Sequence, residues 1–317
     1  MIKRIKTLIA VGVLALSAVG CSSNTTSKED NISICVVLDE GGSNDQSFNQ
    51  SAIEGLYRAK ENYNVDVSYI ESTGGESEYL TNIESAVDTG ADLVVAVGYK
   101  FTEEIEEASK AYPDQKFAII DGQFENEIPS NVIPILFDEA GAGYAVGLIA
   151  SQMTRTNKVA FVGGYDIPSV TKFYDGFEIG LKEGNSDIEA KKQFANSFTD
   201  SAKGKAIAQQ LIKDNYDIIF SASGGVNNGV WEACVENNKM AIGVDMPSSH
   251  MSDIIITSAV KNVGTGLELT IKDLIEGNFK GGEAVKYDLS NGGVGYEVTD
   301  HLSDEVIKFV EDRITSK

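Results

Sequence analysis

After an N-terminal segment, short apolar runs alternate with stretches in which apolar residues recur at every third or fourth position. The runs at 34–38 and 92–97 are continuously apolar, as in strands that are covered on both faces of a parallel sheet. Phe48, Ala52 and Leu56 follow the first run at helical spacing and predict an amphipathic helix. This strand–helix alternation, repeated about eight times, indicates parallel sheets with helices on both faces.

The predicted elements fall into two series. Predicted strands span 34–38, 65–70, 92–97, 117–120, 132–137, 159–162, 217–220, 241–245 and 254–257. Predicted helices begin near Ser47, Thr73 and Thr102, and span 141–153, 169–181, 202–212, 226–237, 263–277 and 306–314. The composition changes at 138–141, between the two series. We therefore predict an α/β protein with two doubly wound lobes of parallel sheet.

Polar residues and glycines collect at the carboxyl ends of the predicted strands. In open α/β sheets, ligands bind at those ends. The residues concerned are Asp39, Gly98, Tyr99, Asp121, Gly163, Gly164, Gly224, Gly225, Asp245 and Lys261. Two such edges that face each other would form a cleft between the lobes, and we expect the ligand there.

The loop at 39–49 lies between the first strand and the first helix, and its two glycines allow a close backbone approach to a ligand. Phe48 and Phe173 each begin a helix after such a strand end, one in each series. Two aromatic rings from opposite lobes would sandwich a flat ligand ring. The alternative is that each phenylalanine is a core residue of its own helix.

Three charged residues at strand ends have two interpretations each. Asp245 and Lys261 would bind vicinal hydroxyls of a ligand, or would form a salt bridge at a hinge between the lobes. Asp121 would accept a hydrogen bond from a ligand N–H group, or would cap the next turn.

Composition excludes several function classes. The net charge of −22 and the lack of a basic patch argue against nucleic-acid binding. His250 and His301 lie in no recognisable nucleophile arrangement, and no zinc spacing or phosphate-binding loop occurs. Cys35 and Cys234 lack a CxxC spacing and are predicted to be buried hydrophobes. The glycines at 141–147 are predicted to serve close helix packing. We expect no enzyme activity, metal or cofactor.

The N-terminus is typical of an exported protein. Basic residues and then an apolar stretch occupy 1–20, and small residues lead into Cys21. This resembles the bacterial lipoprotein signal, in which cleavage leaves a lipidated Cys21. The alternative is a plain secretory signal. The polar segment 21–31 is predicted to be a flexible tether.

Several motifs along the mature chain together resemble one family. They are Asp-x-Gly-Gly-x-x-Asp-x-Ser-Phe-Asn at 39–49, Phe-Val-Gly-Gly at 161–164, Phe-x-x-Gly-Phe at 173–177, Gly-Val-Asp at 243–245, Thr-Ser-x-x-Lys at 257–261 and Gly-Gly-Val-Gly at 292–295. The chain resembles the basic membrane protein lipoproteins, relatives of the purine nucleoside receptor A group. These are solute-binding lipoproteins of nucleoside ABC transporters.

The resemblance implies a type I periplasmic-binding-protein fold, with two lobes joined by a hinge and no enzymatic activity. It implies that Phe48 and Phe173 stack on a purine. It also implies that Asn49 and Asp121 read the edge of the base. Asp245 and Lys261 would hold the ribose hydroxyls. The remaining implied ligand-site residues are Asp39, Ser47, Tyr99 and Gly225.

The expected N-terminal lobe is 32–138, to which 258–282 return, and the expected C-terminal lobe is 139–257, to which 283–317 return. We expect a monomer on the extracytoplasmic face of the bacterial cell membrane, held by its lipid, that passes a nucleoside to an ABC permease. The alternatives are a receptor for a sugar or another small solute, and a surface antigen or adhesin. Nucleoside hydrolysis is a third, and the lack of a metal cluster and a general base argues against it.

Overall fold

Two six-stranded sheets carry the fold over residues 31–315, which are the residues that this computed structural model describes. The first sheet contains β1 (Ser33–Leu38), β2 (Asp66–Glu71), β3 (Leu93–Val97), β4 (Lys116–Ile120), β5 (Val132–Phe137) and β11 (Val285–Tyr287). The second contains β6 (Lys158–Gly163), β7 (Glu189–Phe194), β8 (Ile218–Ala222), β9 (Met240–Asp245), β10 (Ile255–Lys261) and β12 (Val294–Tyr296). The strand orders are β11-β5-β4-β3-β1-β2 and β12-β10-β9-β8-β6-β7.

The strand pairs of residues 31–315 are parallel, apart from the antiparallel pair of β10 and β12. Apolar runs form the central strands, and all residues of β3 and β10 are buried. Burial of both faces of a strand is typical of parallel sheets covered by helices on each side. The predicted α/β architecture of two parallel-sheet lobes is therefore confirmed.

Helices cover the faces of both sheets. They are α1 (Phe48–Tyr63), α2 (Tyr79–Asp88), α3 (Thr102–Ala111), α4 (Glu139–Met153), α5 (Pro168–Gly184), α6 (Ser201–Lys213), α7 (Asn227–Glu236), α8 (Val263–Ile275) and α9 (Asp304–Ile314). In the first lobe α1 packs on α8 and α2 on α3, and in the second lobe α4 packs on α5 and α9, and α6 on α7.

Glycines bring α4 and α5 into backbone contact. A Cβ atom on Gly143 would lie 2.1 Å from the carbonyl oxygen of Phe173, and one on Gly147 would lie 2.3 Å from that of Phe177. Those distances are too short for any side chain, so the helices meet this closely only because both positions are glycine. The predicted packing role of these glycines is confirmed, and the contact fixes the backbone of Phe173.

The chain passes between the lobes after β5, after β10 and between β11 and β12. Two expected boundaries differ from the sheet membership. Residues 258–261 belong to β10 of the second sheet, because their buried side chains continue that strand beyond Thr257. Residues 283–287 include β11, which pairs with β5 of the first sheet. Three-residue strands such as β11 are too short to show a period.

Three strands, β7, β11 and β12, are absent from the predicted elements. The sequence of β7 is Glu-Ala-Lys-Lys-Gln-Phe, which is polar because the strand is a half-exposed edge of its sheet. Cys35 in β1 and Cys234 in α7 are buried free thiols, as predicted.

The predicted signal segment 1–20, the lipidation site Cys21 and the tether up to residue 30 lie outside the described residues. None of the helices between residues 31 and 315 has the length and apolar character needed to span a bilayer.

Candidate functional site

A cleft lies where the carboxyl ends of the two sheets face each other. Its space, including the part open to solvent, is about 630 Å³. Eight of the predicted site residues line it: Asp39, Phe48, Asn49, Tyr99, Asp121, Phe173, Asp245 and Lys261. The first five belong to the first lobe and the last three to the second. The fold therefore brings together residues more than two hundred positions apart in the sequence.

Two predicted residues lie beside the cleft rather than in its wall. Ser47 is buried and donates its hydroxyl to Oδ2 of Asp245. Gly225 is replaced in the wall by its neighbour Gly224, which has a left-handed backbone with φ of 59°. A glycine adopts that conformation without strain, so the turn after β8 lines the cleft with backbone.

Asp45 organises the loop that precedes α1. Its carboxylate accepts hydrogen bonds from the backbone N–H groups of Ser47 at 2.9 Å, Asn49 at 2.9 Å and Gln50 at 3.0 Å. The first N–H groups of a helix have no partner within the helix, and a carboxylate there also suits the helix dipole. Asp45 is absent from the predicted site although it lines the cleft. Its position just before a helix was the available signal.

Asp39 fixes the orientation of Asn49. Its Oδ1 accepts hydrogen bonds from Nδ2 of Asn49 at 2.7 Å and from the Gly41 N–H at 2.9 Å. Burial raises the pKa of Asp39 to about 6, against the effect of these two donors. The hydrogen bond from Nδ2 to Asp39 fixes the orientation of the Asn49 amide. The Oδ1 atom of Asn49 is a buried acceptor that has no hydrogen-bond partner among the described residues.

Lys261 forms a buried ion-pair cluster between the lobes. Its Nζ lies 2.6 Å from Oδ2 of Asp121, in the first lobe, and 2.9 Å from Oε1 of Glu139, at the start of α4. Burial lowers the pKa of Lys261. The neighbouring carboxylates, led by Asp121 and Glu139, outweigh this effect and raise the pKa above its usual value. The same Nζ lies 5.2 Å from the ring centroid of Phe48. Glu139 is a partner that the sequence did not indicate.

This cluster bears on the two interpretations of Asp245 and Lys261. Lys261 pairs with Asp121 and Glu139, while Asp245 is bonded to Ser47. The alternative interpretation, a salt bridge between Asp245 and Lys261, is therefore not observed. The other oxygen of Asp121, Oδ1, is buried without a hydrogen-bond partner in the described part of the chain. Asp121 thus offers a free acceptor in the wall of the cleft.

Asp245 is an unusual residue in both backbone and charge. Its φ is 63°, a left-handed conformation that costs energy for a residue with a side chain. Burial raises the pKa of its carboxyl to about 7, although Lys261 and the Ser47 hydroxyl act in the opposite direction. A carboxyl group with that pKa gains most from ligand groups that donate hydrogen bonds to its ionised form.

The aromatic residues of the cleft come from both lobes. Phe48 is half-buried at the start of α1, whereas Phe173 is 3% exposed and packs edge-on against Phe220, with ring centroids 6.1 Å apart. Both phenylalanines line the cleft and also contact the core. A third aromatic, Phe198, lines the cleft and was missed, because it follows the unpredicted strand β7 in a segment without periodicity.

A third contact between the lobes, besides Ser47–Asp245 and Lys261–Asp121, involves Lys100 and Tyr165. Lys100, which follows β3, bonds Glu40 at 2.7 Å and Glu76 at 3.0 Å. Its Nζ also lies 5.1 Å from the ring centroid of Tyr165, which follows β6 in the second lobe. Tyr165 in turn packs against Phe198, with centroids 5.0 Å apart. The two carboxylates therefore hold the lysine where it faces an aromatic ring of the other lobe.

The cleft is negatively charged. The carboxylates in its wall are Asp39, Asp45, Asp121 and Asp245, and the cation in its wall is Lys261. Across residues 31–315, no three His, Cys, Asp or Glu side chains are grouped as ligands of a metal ion would be. The arrangement offers aromatic faces and acceptor oxygens to a small ligand that carries hydrogen-bond donors.

Comparisons with known proteins identify relatives of this chain. A family model described as ABC transporter substrate-binding protein PnrA-like matches residues 32–317. The ABC transporter nucleoside-binding protein BmpA of Lactococcus lactis subsp. cremoris is 33% identical, and the alignment covers 98% of both chains. The CD4+ T-cell-stimulating antigen of Listeria innocua is 34% identical, with 96% of this chain and 92% of the relative covered.

Among solved structures, an ABC transporter solute-binding protein from Aeropyrum pernix K1 superposes with a TM-score of 0.77 and 29% identity. That superposition covers 90% of this chain and 86% of the other. The predicted resemblance and the predicted periplasmic-binding-protein fold are thereby confirmed. The chain belongs to the PnrA-like family of substrate-binding proteins of ABC transporters.

Proposed function

We propose that this substrate-binding protein captures a purine nucleoside in the interlobe cleft and delivers it to the permease of an ABC transporter. The observation that carries the proposal is a pair of buried acceptor oxygens, Oδ1 of Asn49 and Oδ1 of Asp121, that have no hydrogen-bond partner within residues 31–315. A relative with 33% identity is named a nucleoside-binding protein, which supports the same ligand class.

The aromatic residues suit a flat base. Phe48 from the first lobe and Phe173 from the second both line the cleft. Offset or edge-to-face contacts with an aromatic ring are worth about 0.5–1.5 kcal/mol per pair beyond the burial of area. A sugar without a base has no aromatic ring to stack on these faces, so the aromatic pair favours a nucleoside over a simple sugar.

The polar residues suit the edge of a particular kind of base. A buried acceptor without a partner costs about 1–3 kcal/mol, and a ligand N–H group that reaches it removes that cost. Hypoxanthine and guanine present N1–H as a donor, whereas adenine presents N1 as an acceptor. We therefore favour 6-oxopurine nucleosides, with Asn49 and Asp121 reading the base.

Asp245 and Lys261 suit the ribose. Asp245 already accepts a hydrogen bond from one hydroxyl group, that of Ser47, and the ribose hydroxyls are donors of the same chemistry. Lys261 is held rigidly by its two carboxylate partners, so its remaining N–H donor has a defined direction. Asp39, Tyr99 and the glycine turn at 224–225 complete the proposed wall.

The negative charge of the cleft is expected to favour nucleosides over nucleotides. The acidic residues of the wall repel a phosphate group, and Lys261 and Lys100 are each already paired with two carboxylates. Like charges brought together in a partly buried site cost several kcal/mol. We expect a nucleoside 5′-monophosphate to bind at least about a hundredfold more weakly than the nucleoside, which corresponds to about 2.7 kcal/mol.

We also propose that the protein acts as a lipid-anchored monomer outside the cell, with 1–20 removed and Cys21 lipidated. The spacing of basic, apolar and small residues before Cys21 supports this. Cys21→Ser is expected to abolish incorporation of a fatty-acid label and to release the protein into the medium. Incorporation equal to that of the unaltered chain would exclude lipidation at this cysteine.

Titration calorimetry tests the ligand class directly. Guanosine and inosine are expected to bind, adenosine more weakly, and free ribose and guanosine monophosphate hardly at all. Phe48→Ala and Asp245→Ala should each weaken guanosine binding at least about tenfold, or about 1.4 kcal/mol, without unfolding the protein. Unchanged affinity in both variants would exclude the proposed site.

The Listeria relative is named as an antigen, so a surface role in immune recognition is a second candidate. That role requires no closed cleft and predicts no shift of the melting temperature with any small solute. A thermal-shift series with nucleosides, bases and ribose separates the two functions.

A further inference from the structure

Glu297, just after β12, gathers hydrogen bonds from two separate segments. Its carboxylate accepts from the N–H of Ser248 at 2.9 Å, the N–H of Ser249 at 3.2 Å and the hydroxyl of Ser258 at 2.8 Å. The hydroxyl of Ser249 donates to it as well. Four donors around one carboxylate fix the segment 248–249 against β10, because hydrogen bonds to an ionised group are the strong ones.

The segment 248–249 that Glu297 fixes lies three residues after Asp245, which is the centre of a strained turn. The N–H of Met246 donates to the carbonyl of Val244 at 2.7 Å, and Asp245 between them has φ of 63°. A three-residue turn with a left-handed central residue is rare and strained. Such strain persists only where the surrounding structure holds the backbone on both sides.

The backbone before Asp245 is held by Ser248 and Ser258, which both bond Glu297. A Cβ atom on Gly243 would lie 2.6 Å from Oγ of Ser258 and 3.0 Å from Cβ of Ser248. Ser258 also accepts a hydrogen bond from the N–H of Ser248 at 3.1 Å. Thus Ser248 and Ser258, which both bond Glu297, press on the backbone two residues before Asp245.

The backbone of Glu297 is itself anchored. Its N–H donates to the carbonyl of Ser258 at 3.0 Å, and its carbonyl accepts from the hydroxyl of Thr257 at 2.7 Å. These contacts extend the antiparallel pairing of β12 with β10. The carboxylate therefore has a fixed origin from which to hold the turn.

We propose that Glu297 is a positioning residue for ligand binding, which holds the strained turn so that the Asp245 carboxylate points into the cleft. This inference rests on the proposed nucleoside site. Glu297 does not line the cleft and acts through Asp245. Loss of one or more of its charge-assisted hydrogen bonds is expected to weaken nucleoside binding by roughly tenfold or more.

Asp217 provides a matched control in the same lobe. Its carboxylate accepts from the hydroxyl of Thr154 at 2.7 Å and from the N–H groups of Arg155 at 2.7 Å and Thr156 at 3.1 Å. It anchors the loop between α4 and β6 in a comparable way. However, Asp217 lies at the N-terminal end of β8, whereas the C-terminal end of β8, at Ala222, reaches the cleft.

The test compares Glu297→Gln with Asp217→Asn by calorimetry with guanosine and by thermal unfolding. Both variants are expected to lower the melting temperature. Only Glu297→Gln should weaken binding by about tenfold or more, while Asp217→Asn stays within about twofold of the unaltered protein. Equal affinities in the two variants would overturn the proposal.

A double-mutant cycle tests whether Glu297 acts through Asp245. In an Asp245→Ala background, Glu297→Gln should cause no further loss of affinity, because the carboxylate that it positions is gone. If Glu297→Gln lowered the affinity equally in the unaltered protein and in the Asp245→Ala variant, Glu297 would not act through Asp245 and the proposal would be overturned. Should Glu297→Gln fail to fold, the milder Ser249→Ala is expected to show a smaller loss, and unchanged affinity there would count against the proposal.

A ligand-free measurement separates this inference from the proposed function. Absence of guanosine binding by the unaltered protein would refute the nucleoside site alone. Carbon-13 NMR titration of the Asp245 carboxyl, whose pKa burial raises to about 7, then reports its position. Glu297→Gln should move that pKa toward the ordinary value, whereas Asp217→Asn should not. An unchanged titration in Glu297→Gln would overturn the positioning role.

Discussion

Ser47 and Asp245 are joined by a hydrogen bond between the two lobes, beside the cleft, with the Ser47 hydroxyl as donor. Ser47 lies in the loop before α1 in the first lobe, and Asp245 ends β9 in the second. The side chain that we propose to hold the ribose is therefore also a contact between the lobes. Closure and ligand recognition share one carboxylate, so ligand binding and lobe closure are expected to be coupled.

Removing the Ser47 hydroxyl tests this coupling. Ser47→Ala loses one hydrogen bond to a charged group, worth about 1.5–3 kcal/mol, part of which a water molecule replaces in the open form. We expect guanosine affinity to fall by about three- to tenfold in calorimetry. Ser85→Ala, on the exposed side of α2, is the control and should leave the affinity unchanged. An equal effect of both substitutions would contradict the coupling.

Binding is expected to strengthen as pH rises through about 7. Burial raises the pKa of Asp245 to about 7, and ribose hydroxyls donate to its ionised form. Below that pH the carboxyl must first lose a proton, so affinity falls, while guanosine itself stays neutral. Calorimetry between about pH 5.5 and about pH 8 measures the effect, and Asp245→Asn should remove most of it. A flat profile in the unaltered protein would contradict the assignment.

The stability of the ligand-free protein should change with pH in the opposite sense. The pKa values of Asp245 and Asp39, about 7 and about 6, lie above their ordinary value. The folded state therefore binds more protons than the unfolded state at intermediate pH. The free energy of unfolding is expected to decrease as pH rises from about 4 to about 7 on account of these two groups. Urea unfolding at several pH values, compared with Asp245→Asn, checks the sign.

Lys100 and Tyr165 are expected to slow ligand release. The Nζ atom of Lys100 lies 5.1 Å from the ring centroid of Tyr165, and this contact joins the lobes. A cation–π pair of this kind is worth about 0.5–1 kcal/mol at exposed sites. Lys100→Met should therefore raise the dissociation rate of guanosine by roughly two- to fivefold in stopped-flow measurements. Tyr165→Leu should do the same, and the two together should do little more. Lys110→Met, which removes an exposed pair within α3, is the control.

Lys261 is expected to be essential for folding stability. Lys261→Met would leave Asp121 buried without its cation and Glu139 with only Lys172, whose Nζ is 3.9 Å away; breaking a buried ion pair typically costs about 3–5 kcal/mol. Urea denaturation should show this loss. Lys272→Met, which removes a half-exposed pair with Glu276 on α8, should cost less than about 0.5 kcal/mol. A similar small change for both lysines would mean that the buried carboxylates take up protons instead.

The local pattern of the chain was sufficient for the fold class and for much of the cleft. Buried strands are continuous apolar runs, and the residues that follow them in sequence must lie at the carboxyl edge of a parallel sheet. Phe48, Phe173 and Asp245 were found in this way, since each stands at a strand end or helix start. Their roles toward a ligand are predictions that binding experiments test.

Partners across the cleft were beyond the reach of the sequence. Ser47 meets Asp245, and Lys261 meets Asp121 and Glu139, only because two sheets face each other. A salt bridge between Lys261 and Asp245 was one of two interpretations that the sequence left open, and the structure does not form it. Distance along the chain carries no information about such contacts.

Residues in short or polar edge strands were missed for a related reason. Phe198 follows β7, and Glu297 follows the three-residue strand β12. Such segments are half-exposed and show no apolar period. The sequence by itself determined the two parallel-sheet lobes and the residues at their strand ends, because buried strands and helices have apolar patterns that can be recognised in the local sequence. Only the tertiary structure decided which charges pair and how Asp245 is held, because those depend on how distant segments pack.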